Sequence, residues 1–80
     1  MEFIKEAKIG NKIYRYSIYE YEGAISVWEQ VSYNNGFTFD TVADWDGFQT
    51  REDAIRAIEE DISQKQEYLA YQEAMDMIKE

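Results

Sequence analysis

Two aspartates flank a tryptophan in Asp44-Trp45-Asp46-Gly47, and Asp53 follows a few residues on. Oxygen ligands closely spaced around a glycine are what a calcium loop needs. In the EF-hand pattern Asp44, Asp46, Gly47 and Asp53 take positions 3, 5, 6 and 12. Position 1 then falls on Val42, whose side chain has no oxygen, and position 12 normally requires the longer Glu. No helix is expected just before this segment. A tight turn leading into a helix cap is the better account. Carboxylates are abundant elsewhere, so paired-acid hydrolysis of glycosides must be weighed. That chemistry needs a cleft that raises one pKa, and 80 residues built as one sheet and one helix rarely form one. The chain has no histidine and no cysteine. It therefore lacks the commonest general base, the thiolate nucleophile and the sulfur ligands of metal sites. No catalytic, cofactor-binding or metal-binding residue is assigned. The sequence argues for a binding module over an enzyme.

The remaining chemistry is that of recognition. Seven tyrosines and two tryptophans could stack on bases. Stacking platforms sit in basic grooves, however, and this chain has 8 bases against 17 acids, a net charge of −9. Direct nucleic-acid binding is not expected. The charge is also unevenly placed. Residues 1–16 hold Lys5, Lys8, Lys12 and Arg15 against Glu2 and Glu6, whereas the rest holds 4 bases and 15 acids. Such a surface repels phosphates and anionic lipids and attracts basic protein surfaces. In the second half Glu52, Glu59, Glu73 and Glu80 recur every seven residues, with Gln66 at the missing rung, and Asp53, Glu60 and Glu67 form a second rail. On a helix each step of seven rises ~10.5 Å. Carboxylates so spaced are either a solvated helix face or a mimic of a phosphate backbone. The acidic candidates for partner binding are Glu59, Glu60 and Glu67, then Asp40, Asp44 and Asp46.

These residues must be held by elements that the pattern reveals. The first half alternates in polarity and is broken at Gly10-Asn11, Glu22-Gly23 and Asn34-Asn35-Gly36. The spacing predicts strands near 2–9, 12–21, 24–33 and 37–43, joined as an antiparallel meander. With those turns, Ile9 faces Lys12, Ala7 faces Tyr14, Phe3 faces Ile18, Ile18 faces Val27, Tyr14 faces Val31, Tyr33 faces Phe37 and Val31 faces Phe39. One face then collects Phe3, Ala7, Ile9, Tyr14, Tyr16, Ile18, Ile25, Val27, Val31, Phe37 and Phe39. Three turns agreeing on one apolar face fix the register, because a slip of one residue would scatter it. Lys5 and Glu29 fall on that face too, where cover is expected to be incomplete or their stems to snorkel. The other face carries Ile4, Ile13, Tyr19, Tyr21, Trp28 and Val42 among Glu2, Glu6, Arg15 and Asp40, with Glu6 opposite Arg15 as a cross-strand ion pair. That is more apolar than a solvated face usually is, so Tyr19, Tyr21 and Trp28 join the candidates for partner binding.

The second half reads as helix. Thr50 is an N-cap with Asp53 three residues on. No Gly or Pro follows from Arg51 to Glu80. At 100° per residue, Ala54, Ile58, Ile62 and Leu69 cluster around Ile55, but Tyr68, Tyr71, Met75 and Ile78 point nearly the opposite way. Either the helix breaks near residues 63–66, or it runs on and offers those four residues to another chain. Continuity is favoured, since no breaker is present. The expected fold is therefore α+β: a four-stranded antiparallel β-meander packed against a long C-terminal helix, as one domain over residues 1–80.

Met1-Glu2-Phe3-Ile4-Lys5 with Tyr16-Ser17-Ile18-Tyr19-Glu20-Tyr21-Glu22-Gly23 resembles the opening of a type I-F inhibitor among the small phage-encoded anti-CRISPR proteins. Phe48-Gln49-Thr50-Arg51-Glu52-Asp53-Ala54-Ile55 resembles the strand-to-helix joint of many small sheet-plus-helix domains. The anti-CRISPR class spans many folds, so no residue roles carry over. The resemblance implies a protein that blocks a CRISPR effector by covering a basic surface. The leading expectation is accordingly an acidic inhibitor of a basic, nucleic-acid-binding surface, without cofactor. The second is a homodimeric structural or adaptor protein joined through Tyr68, Tyr71, Met75 and Ile78 or through the aromatic sheet face. With no secretory leader and no apolar stretch near the ~20 residues that span a bilayer, a cytoplasmic location away from membranes is expected.

Overall fold

The computed structural model describes residues 1–78. Strands β1 (Glu2–Ile9), β2 (Lys12–Tyr21), β3 (Ala24–Ser32) and β4 (Asp40–Phe48) form one antiparallel sheet in chain order, and helix α1 (Arg51–Ile78) follows. This is the expected α+β meander with one uninterrupted helix. The two-residue loops close as predicted, pairing Ile9 with Lys12 and Tyr21 with Ala24. Glu22 and Gly23 have φ of 51° and 80°, the paired left-handed conformation of a tight hairpin turn. Thr50 caps the helix: its Oγ1 accepts from the Asp53 amide at 3.1 Å.

Helix and sheet enclose a core of Ile9, Tyr16, Ile18, Val27, Ala54, Ile58 and Ile62, all buried. Ile4, Ala7, Tyr14, Ile25, Trp45, Phe48 and Leu69 pack around it. Val31 is buried as expected. The central strands keep the predicted register throughout, with Ile18 opposite Val27 and Tyr14 opposite Val31.

The edge strands depart from simple alternation, and each departure is a bulge. In β1 the register shifts between Phe3 and Lys5, so Phe3 faces Ser17 and Glu2 faces Ile18. The shift exchanges the two sides of the strand end. Phe3, expected in the core, is exposed, and Ile4, expected outside, packs against the core. Glu2 reaches the helix start instead, where its carboxylate pairs with Arg51 at 2.6 Å. That guanidinium holds the Glu2 carboxyl below its ordinary pKa.

The fourth strand spans residues 40–48 rather than 37–43. Ser32 accounts for the longer connection. Its buried Oγ accepts from the Asn34 and Gly36 amides at 3.3 and 2.8 Å, and Asn34 exchanges hydrogen bonds with Thr38. This network closes a wider loop than the three-residue turn expected. Phe37 is consequently 88% exposed and Phe39 lies on the far face beneath Arg15, so neither joins the core. Val31 pairs with Asp40 in place of Phe39. Trp45 and Phe48 take up the core positions, and the segment 44–47 is strand, not a turn. Gly47, at φ 91°, provides a bulge opposite Ser26, and a second bulge falls at Val42. Bulges in both edge strands blunt the sheet against further strand pairing.

Glu29 is buried rather than snorkelling, with 1% of its surface exposed. Its Oε2 lies 3.1 Å from Lys65 Nζ, without hydrogen-bond geometry, and Lys65 also meets Asp61 at 2.6 Å. Tyr16 Oη donates to Asp61 at 2.8 Å, and Lys65 Nζ sits 4.9 Å from the Tyr14 ring centre. Burial, with the Asp61 bond next, drives the Tyr16 phenol well above its ordinary pKa. Burial raises the Glu29 carboxyl against the pull of Lys65. For Lys65 burial is the largest single influence and lowers the pKa, but Asp61 and Glu29 together outweigh it and hold the ammonium above its usual range. The helix is thus tied to the sheet by an ionic cluster beside its apolar stripe, between Ile58 and Leu69.

Candidate protein-binding surface

The core lies between the helix and one face of the sheet, and among the described residues no second layer covers the other face. Alternation along β2 and β3 brings Ile13, Arg15, Ser17, Tyr19 and Tyr21 together with Ser26, Trp28, Gln30 and Ser32 on that face. Three serines there are buried beneath their larger neighbours. The larger side chains are fixed by mutual bonds. Trp28 Nε1 donates to Thr41 Oγ1 at 3.1 Å. Tyr19 Oη is 2.8 Å from both carboxylate oxygens of Asp44. That bond to a carboxylate raises the Tyr19 phenol pKa, with the nearby Asp44 and Asp46 charges acting in the same direction. Arg15 pairs with Glu6 at 3.5 Å, as the register predicted, and lies 3.9 Å above the Phe39 ring centre.

At one end of this face is a depression of about 630 Å³ lined by Tyr19, Tyr21, Glu22, Ala24, Ser26, Asp44, Asp46 and Gly47. It joins two groups of candidates that the sequence treated separately, the aromatics Tyr19 and Tyr21 and the acids Asp44 and Asp46. Trp28 is on the same face, directly opposite Asp44 in the ladder. Glu22, Ala24, Ser26 and Gly47 complete the lining and were not anticipated. Glu22 comes from the β2–β3 turn and Ser26 from β3 opposite Tyr19, and only Gly47 owes its place to the β4 bulge, which nothing in the local alternation announces. Among the described residues no lysine or arginine lines the depression.

The other candidates lie elsewhere. Asp40 is exposed but pairs with Val31, so its position belongs to the helix side of the sheet. Glu59, Glu60 and Glu67 are exposed on the helix, whose buried side faces the sheet. Their carboxylates therefore point away from the aromatic face, and one flat partner surface cannot meet both sets. Tyr68, Tyr71, Met75 and Ile78 are 65%, 61%, 43% and 76% exposed. The calcium-loop arrangement does not form: Asp44 and Asp46 lie in β4, Asp53 opens the helix, and Asp53 pairs with Arg56 at 3.1 Å. Among the described residues no three acidic side chains converge to hold a metal ion, and no helix is long and apolar enough to cross a membrane.

No protein-family model matches this chain, and no match was found among curated proteins or solved structures.

Proposed function

We propose that this chain is an acidic binding protein that covers a basic, nucleic-acid-binding surface on a partner protein, and that a CRISPR effector complex is that partner. The observation that carries the reading is the open sheet face, where Tyr19, Tyr21, Glu22, Asp44 and Asp46 surround one depression with no basic group in its lining among the described residues. Rigid aromatic side chains supply contact area at little conformational cost, and the carboxylates beside them complement lysine and arginine. Strands set the positions of Tyr19, Tyr21, Asp44 and Asp46, with Glu22 in the adjoining hairpin turn, and the Tyr19–Asp44 bonds hold ring and carboxylate in one arrangement. The resemblance of residues 1–5 and 16–23 to an anti-CRISPR opening supplies the choice of partner. The absence of histidine and cysteine supports binding without catalysis.

Competition tests this directly. A purified type I-F effector complex is titrated with labelled target DNA at fixed concentrations of the chain. Apparent DNA affinity should fall as the chain is added, by tenfold or more at saturation. The complex between chain and effector should weaken steeply between 50 and 300 mM salt, on the order of the Debye screening change over that range. DNA binding that is unaffected by a large excess of the chain would rule this partner out.

A further inference from the structure

We propose that the chain pairs with a second copy of itself through the C-terminal ends of two helices packed antiparallel. Leu69 is the last helix residue that packs on the sheet side, where it meets the Gly10 turn. Beyond it the sheet-facing stripe becomes polar, with Gln72 and Asp76 at the positions that would continue Ile58, Ile62 and Leu69. At the same point the opposite stripe becomes apolar. Tyr68, Tyr71, Met75 and Ile78 are spaced three, four and three residues apart, the alternating a and d pattern of a coiled-coil seam. All four are exposed. Tyr68 still borders the sheet, in a depression it lines with Gly10, Lys12 and Leu69, and Tyr71, Met75 and Ile78 carry the apolar seam on beyond it.

The occupant is indicated by the flanking charges. With Tyr68 at an a position, the positions bordering the seam are Glu67, Gln72, Ala74 and Lys79, one acid and one base between them, while Glu73 and Asp76 lie off the seam. Nothing there selects a basic partner, and two copies can meet without strong repulsion. A parallel pair would align Asp53, Glu60 and Glu67 of one copy beside those of the other along the helix bodies. An antiparallel pair puts the two acidic bodies at opposite ends. It also matches Tyr68 with Ile78 and Tyr71 with Met75, an a residue facing a d residue at each layer. At roughly 150–250 Å² for a large side chain, and with the exposures observed, the two seams bury on the order of 1,000 Å². Specific interfaces begin near ~1,200 Å², so the dimer is weak and concentration-dependent. This inference is independent of the partner proposed above.

Sedimentation of the full chain from about 10 µM to 1 mM should show a reversible rise from the mass of one chain towards two. Tyr71→Asp with Met75→Glu should remain monomeric across that range with an unchanged circular dichroism spectrum. Because the chain has no cysteine, single introduced thiols report orientation. A mixture of Tyr71→Cys and Met75→Cys chains should oxidise mainly to the mixed disulfide, and neither variant alone should cross-link efficiently. A strict monomer at 1 mM overturns the proposal. Efficient cross-linking of Met75→Cys with itself overturns the antiparallel geometry.

Discussion

Lys65→Met should lower the stability of the domain by about 3–5 kcal/mol, the usual cost of leaving a buried charge without its partner. Domains of this size have only about 4–12 kcal/mol in total, so the variant should be partly unfolded at room temperature. The reason is Glu29, which is 1% exposed and has Lys65 as its counter-ion at 3.1 Å. Asp61 is less affected, because it keeps the Tyr16 hydroxyl at 2.8 Å. The loss is therefore conditional on the Glu29 charge. Glu29→Gln in the Lys65→Met background should recover most of it, and Glu29→Gln alone should be close to neutral, since Lys65 retains Asp61 at 2.6 Å. The pH dependence follows with a definite sign. A carboxyl whose pKa is raised on folding binds more protons in the native state, so its contribution is fully present below its ordinary pKa of 4.5 and is lost as the pH rises through the folded value. Glu29→Gln should remove this decline, leaving a flatter profile from pH 4.5 upwards. Urea titrations of the four proteins across pH decide the matter. A Lys65→Met variant within 1 kcal/mol of the parent would show that the cluster is solvated.

Val27→Asp should abolish cooperative unfolding, whereas Phe39→Asp should fold. Val27 is fully buried between the helix and the middle of the sheet, where a carboxylate would have no counter-ion. Phe39 is half-buried on the far face with Arg15 above its ring, and an aspartate there would meet that guanidinium. Strict alternation puts both residues in the core. Their separation is therefore a direct test of where β4 begins. Thermal melts followed by near-ultraviolet circular dichroism would show it, and a cooperative melt for Val27→Asp would contradict the fold.

What the sequence made legible, and what it did not, has a physical pattern. Strands β2 and β3 and their turn followed from Glu22-Gly23 and from alternation, because both strands are central and any slip would expose Ile18 and Val27. The helix followed from Thr50, Asp53 and the lack of a breaker. The edges were less legible, since a bulge inserts one residue with no compositional signature beyond a glycine, and in β1 not even that. Phe3 and Ile4 therefore exchanged places, and Trp45 was hidden in what read as a turn. The Glu29 cluster did leave a signal: an acid in phase with Val27 and Val31, and Asp61 and Lys65 four apart beside the apolar stripe of the helix. On the proposed surface the aromatics were visible from their phase on β2 and β3. Their union with Asp44 and Asp46 was not, because it depends on the extension of β4 to Phe48.

If partner binding resides on the open sheet face, charge reversal there and charge reversal on the helix should have unequal effects. Asp44→Lys with Asp46→Lys changes the depression. Glu59→Lys with Glu60→Lys and Glu67→Lys changes the far side of the helix. All five positions are exposed, so both variants should fold. Association with the type I-F effector complex is then measured by stopped flow over a salt series. The β4 double variant should associate at least tenfold more slowly at low salt and lose most of its salt dependence, while the helix triple variant should stay within about threefold of the parent. The reverse ranking, a silent β4 variant and a crippled helix variant, would place the interaction on the acidic helix instead of the sheet face.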